Sequence, residues 1–67
     1  MKTFNRHKLK ENIQKSGLKI GHVASEVGIH RITLSYYISG NRNPGHEILK
    51  RIARLIKCNI GDLYDAV

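Results

Sequence analysis

Sixty-seven residues leave room for one small domain, which buries only about 60% of the surface its unfolded chain exposes. With 40% hydrophobic residues, one proline and six glycines, the composition is globular rather than disordered or fibrous. Twelve Lys and Arg against five acidic residues give a net charge of +7, which leaves few carboxylates for acid–base chemistry, argues against an enzyme and favours attraction to a polyanion.

Met1 to Phe4 forms a short basic lead, and Asn5 is placed to cap a first helix running to about Ser16. Leu9 and Ile13 make its inward stripe, joined by Phe4 or the methylenes of Arg6, while Lys8, Lys10, Glu11 and Lys15 face water. Gly17 ends that helix, and Leu18 dips into the core. In a second helix, about Ile20 to Val27, the residues Val23, Ala24 and Val27 fall at helical spacing, and Gly28 stops it by supplying φ > 0. Ile29 plugs the corner. A third helix, Arg31 to Ile38, then projects outward, because small Ala24 and the glycine-containing turn permit a close, steep crossing. Tyr37 is expected to be more buried than Tyr36. The polar loop Ser39-Gly40-Asn41-Arg42-Asn43-Pro44 leads into a fourth helix, from Gly45 or His46 to Lys57, whose Ile48, Leu49, Ile52, Ala53, Leu55 and Ile56 form a hydrophobic floor. Asn59 is a good N-cap for a short last helix, Ile60 to about Asp65, with Ile60 and Leu63 closing the core.

The hinge from Val23-Ala24 to Gly28-Ile29, the loop Ser39 to Pro44, and the closing Leu49, Ile52-Ala53 and Ile56 together resemble the Cro/repressor type of helix-turn-helix, the XRE family of bacterial and phage regulators. The likeness extends from about Leu9 to Tyr64. It implies an all-α, compact five-helix lambda-repressor-like domain occupying residues 1–67. Two departures stand out. Family members usually carry Ser or Thr and then Gln where this chain has Lys19 and Ile20, so a phosphate contact at this helix start falls to the Lys19 ammonium, to the backbone N–H groups or to His22. Many members also bury an Arg on the first helix against a Glu ending the third; here those positions are Ile13 and Ile38. A paired apolar replacement avoids an orphaned buried charge, so returning Ile38 alone to Glu is expected to destabilise strongly. Lys57 stands where the family prefers a helix-ending Gly.

The same resemblance implies that the third helix enters the major groove of double-stranded DNA. His30, Arg31, Ile32 and Tyr36 then take base-facing positions, with Thr33 near a thymine methyl or a phosphate. The fork of Arg31 suits G at O6 and N7, Ile32 suits thymine methyls, and Tyr36 reaches a base or a phosphate. Ser39, Asn41, Arg42 and Asn43, in a polar loop that presents backbone N–H groups, suit phosphate gripping alongside Lys19. Lys2, Arg6, Lys8 and Lys10 add long-range attraction or simply solvate their helix.

Other chemistries find little support. His7, His22, His30 and His46 show no metal-ligand spacing, no cofactor motif occurs, and no glycine-rich phosphate loop with its Lys is present. No apolar run approaches the roughly 20 residues of a membrane span, no signal-peptide stretch follows the basic start, and the single Cys58 cannot form an internal disulfide, so a cytoplasmic protein is expected. The expected function is a DNA-binding transcriptional regulator, a phage or mobile-element repressor on a palindromic operator. It acts as a homodimer at least on DNA, dimerises around Cys58 to Tyr64, and has no membrane or small-molecule partner. The rival is a small protein-interaction module, an antirepressor or antitoxin-like partner, which Ile20, Ile32 and Tyr36 on the same face would suit.

Overall fold

The computed structural model describes residues 2–66. Met1, at the head of the expected basic lead, lies outside the described residues, as does the side chain of Lys2, to which long-range attraction was assigned. The first helix, α1, spans Arg6–Ser16 because Asn5 caps it: its side-chain oxygen accepts from the backbone N–H of His7 at 2.8 Å and of Lys8 at 3.3 Å. The second and third helices, α2 (Ile20–Val27) and α3 (Arg31–Ser39), are joined by Gly28 at φ 90° and ψ 28°. In that left-handed turn the N–H groups of Gly28 and Ile29 both donate to the Ala24 carbonyl, at 2.9 and 3.0 Å, which satisfies the end of α2 while reversing the chain.

The fourth helix, α4 (His46–Ile56), lies beneath this pair. Its Leu49, Ile52, Ala53 and Ile56 meet Leu9 and Ile13 of α1, Val23, Ala24 and Val27 of α2, Leu34 of α3 and, further on, Leu63 in one buried cluster. Arg51, on the outer side of α4, donates to the Val27 carbonyl at 3.4 Å and so ties the end of α2 to the floor. Helix α4 ends at Lys57, a non-glycine residue held at φ 57°.

The expected fifth helix does not form. Ile60–Leu63 is a single 3₁₀ turn, and Tyr64–Ala66 is a strand, β2, paired antiparallel with β1 (Lys2–Phe4) in the register Phe4 to Tyr64, Thr3 to Asp65 and Lys2 to Ala66. The described residues therefore form four α-helices and a short two-stranded ribbon. Asn59 does begin the turn as expected, its N–H donating to the Asp62 carboxylate at 3.3 Å. Beyond Leu63, contacts with the start of the chain win over continuing the helix. Asn5 N–H donates to the Leu63 carbonyl at 3.0 Å, Lys8 Nζ donates to the Tyr64 carbonyl at 3.0 Å, and the Phe4 and Tyr64 rings meet edge to face at 6.5 Å. Asp65 completes the clasp. Its carboxylate takes a hydrogen bond from Asn5 Nδ2 at 2.8 Å and an ion pair from Lys8 at 3.0 Å. These two partners, Lys8 first, hold the Asp65 carboxyl below its ordinary range.

Candidate nucleic-acid interface

Helix α3 is anchored by one fully buried residue, Leu34. The half-buried Thr33, Tyr37 and Ile38 flank it, and Tyr37 is indeed the more buried tyrosine. His30, at the N-cap without a side-chain cap bond, is exposed, as are Arg31, Ile32 and Tyr36. Ile32 is 65% and Tyr36 41% exposed, so α3 offers apolar as well as polar surface. At nine residues the helix is about 13 Å long, and cations gather at both of its ends.

At the N-terminal end, Arg31 lies across the start of α2: a Cβ built on Gly21 would sit 3.9 Å from Arg31 Cδ. Lys19, the N-cap of α2, makes no side-chain cap bond, and its exposed side chain lines the same groove as Arg31. His22 lines that groove too. Lys19, His22 and the start of α2 at Ile20 and Gly21, the three candidates for a phosphate contact here, therefore line one groove together with the base-reading candidate Arg31.

At the C-terminal end, α3 closes on Gly40 at φ 87°. One carbonyl, that of Tyr36, organises the loop: the backbone N–H groups of Asn41 and Arg42 donate to it at 3.0 and 3.3 Å, and the Ser39 hydroxyl donates to it at 3.2 Å. Ser39 thus grips a phosphate as a donor only by releasing that bond. The Arg42 guanidinium stands over the Tyr36 ring, 5.7 Å from its centre, which joins a base-facing candidate to a phosphate candidate. Asn41 and Asn43 are exposed, and Pro44 is buried at the loop's exit.

Arg6 belongs to this end as well. A Cβ on Gly40 would fall 2.6 Å from Arg6 Cδ and 2.9 Å from its Nε, so the Arg6 side chain passes directly over the end of α3, and it shares a polar hollow with Asn43, His7 and Asp65. From the sequence, Arg6 has only a diffuse role in long-range attraction. Its position depends on a contact between α1 and α3 that no local pattern encodes.

No acidic residue occurs from Gly28 to Gly45. Among the described residues the ion pairs lie elsewhere, at Lys8–Asp65 and Lys50–Glu47. His46 Nδ1 is 3.3 Å from the Tyr64 hydroxyl, and no group of three or more His, Cys, Asp or Glu among the described residues is placed to hold a metal ion. Cys58 is half-buried, and burial, reinforced by the Asp62 charge, pushes its thiol pKa up. No helix among the described residues is long and apolar enough to cross a membrane.

Two short helices hinged at a left-handed glycine, the second pinned by one buried leucine and presenting Arg31, Ile32 and Tyr36 to solvent, define the helix-turn-helix class. The helix-turn-helix family profile matches residues 9–63, and the chain belongs to that family, the XRE-type helix-turn-helix proteins. A similar solved structure is that of the P22 c2 repressor protein in complex with the synthetic operator 9T. It has a TM-score of 0.78 and 16% sequence identity, covering 87% of this chain and 88% of that one. At that identity the likeness is one of fold. No curated protein matches the chain.

Proposed function

We propose that this protein is a sequence-specific double-stranded DNA-binding transcriptional regulator, a repressor of phage or mobile-element type that occupies a palindromic operator as a homodimer. The observation that carries this reading is an exposed α3 with cations at both ends, Lys19 and Arg31 at one and Arg42 with Arg6 at the other, with no acidic residue from Gly28 to Gly45 and with Asp65, already paired to Lys8, beside Arg6. That arrangement matches a helix lying in the major groove with a phosphate strand on either side. His30, Arg31, Ile32, Thr33 and Tyr36 supply the base-facing set, and Lys19, Ser39, Asn41, Arg42 and Asn43 the phosphate grip. One module of this size makes too few contacts for tight, selective binding, and two copies on half-sites about one helical turn apart supply them. The 65% exposure of Ile32 favours a second reading, a protein partner on the same face.

Selection of bound duplexes from a random pool, repeated at two salt concentrations and with Arg31→Ala, separates these readings. The regulator yields an enriched inverted repeat that weakens with salt and loses discrimination at one base position in the variant, by about 1–3 kcal/mol. Salt-sensitive binding without enrichment would mean bulk DNA coating. No binding at low salt would leave the protein-partner reading.

A further inference from the structure

The floor of the groove beside α3 has a character that DNA does not account for. It is about 550 Å³ in volume and runs between α1, the start of α2 and both ends of α3, within the range of sites that hold a small organic ligand. Ile13, Leu18, Ile20 and Ile38 form an apolar floor, and Lys10, Lys19, His22 and Arg31 stand around it with no acidic side chain in the lining. The isoleucine pair at positions 13 and 38 leaves this floor without an internal charge. Lys19 leaves the first N–H groups of α2 without a side-chain cap, so acceptor-seeking donors are added to the cationic rim. An apolar body with one anionic head is the chemistry that satisfies both halves.

We propose that this groove binds a small amphiphilic carboxylate, its hydrocarbon part on Ile13, Leu18 and Ile38 and its head group between Lys19 and Arg31, and that its occupancy excludes DNA. The second half rests on the DNA-binding reading above, because Lys19 and Arg31 would serve both ligands. A bound anion takes up these two cations and brings a negative charge to the face a phosphate must approach, which makes the ligand a releasing effector. The sequence alone carries no sign of a small-molecule partner, because the groove forms only where three helices meet.

The test uses the full chain with octanoate as the probe, 1-octanol as its uncharged counterpart, and the fluorescence of 8-anilinonaphthalene-1-sulfonate as the reporter of the groove. The expected result is one reporter bound per chain, displaced saturably by octanoate and far less by 1-octanol. Gln14→Glu, an isosteric change at an exposed position in the lining, should keep the melting temperature and weaken octanoate about tenfold by like-charge repulsion. Octanoate should also release a bound duplex at concentrations that fill the groove. Failure of saturable displacement, equal competition by 1-octanol, or undiminished octanoate binding by Gln14→Glu would overturn the site. Octanoate bound alongside DNA would overturn the exclusion. A chain that binds octanoate as described but no duplex would sustain the site while the DNA reading falls.

Discussion

Tyr36 and Arg42 offer the sharpest division between reading a base and holding a phosphate. The guanidinium lies 5.7 Å from the ring centre, and Tyr36 is 41% exposed, so the stack belongs in the solvent-exposed range of about 0.5–1 kcal/mol. If the ring serves to hold Arg42 toward a phosphate, Tyr36→Leu should weaken DNA binding roughly two- to fivefold, the same energy expressed as a ratio. The loss should be similar for operator and unrelated duplex, whereas Tyr36→Phe should bind like the parent. Arg42→Ala should lower the slope of log affinity against log salt by about 0.9, and Tyr36→Leu placed on that background should then cost almost nothing. Fluorescence anisotropy with one operator duplex and one scrambled duplex, at three salt concentrations, measures every corner of this cycle. Additive losses in the double variant would refute the coupling, and a Tyr36→Phe loss confined to the operator would assign the hydroxyl to base reading.

Three further outcomes follow from the packing. Gly28→Ala and Gly40→Ala both force alanine to positive φ, but an added Cβ meets nothing at Gly28 and meets Arg6 at Gly40. Gly28→Ala should therefore cost about 1 kcal/mol, or roughly 4–8 °C of melting temperature. Gly40→Ala should cost more, with the excess abolished by Arg6→Ala; equal costs in both backgrounds would show that the close approach has no energetic weight. Ile38 is half-buried on a groove rimmed by Lys10 and Arg31, so Ile38→Glu should cost about 1–2 kcal/mol of lost apolar burial. That is less than the loss expected for a charge sealed in the core, and an unchanged melting temperature would deny the packing. Asp65 has a lowered folded-state pKa, so its clasp stabilises the fold fully above the ordinary carboxylate pKa and is lost as pH falls from there through the folded value. Asp65→Asn should flatten that part of the stability-against-pH curve, and an unaltered acid limb would refute the assignment.

The four α-helices are legible in the sequence because each is written in local terms. Asn5, Gly17, Gly28 and Gly40 mark ends within one turn, and the stripe of Leu49, Ile52, Ala53 and Ile56 repeats at helical spacing. The outward positions of α3 come from the family resemblance, and the buried Leu34 that fixes which way the helix faces is seen only in the structure. The segment after Asn59 looks helical in sequence because it carries a sound N-cap and two apolar residues, which also suit the 3₁₀ turn it forms. Its continuation as a strand depends on Phe4, Asn5 and Lys8, some sixty residues away in the chain.

The helix-turn-helix, its hinge at Gly28, the floor beneath it and the cationic character of its face are thus written in the order of the residues. Those properties rest on backbone preferences and hydrophobic spacing within a few residues. Packing in three dimensions sets the β1–β2 ribbon, the passage of Arg6 over Gly40, the stacking of Arg42 on Tyr36 and the groove between α1, α2 and α3. Each of these needs surfaces that exist only after distant segments pack together, and no local pattern carries the geometry of that meeting.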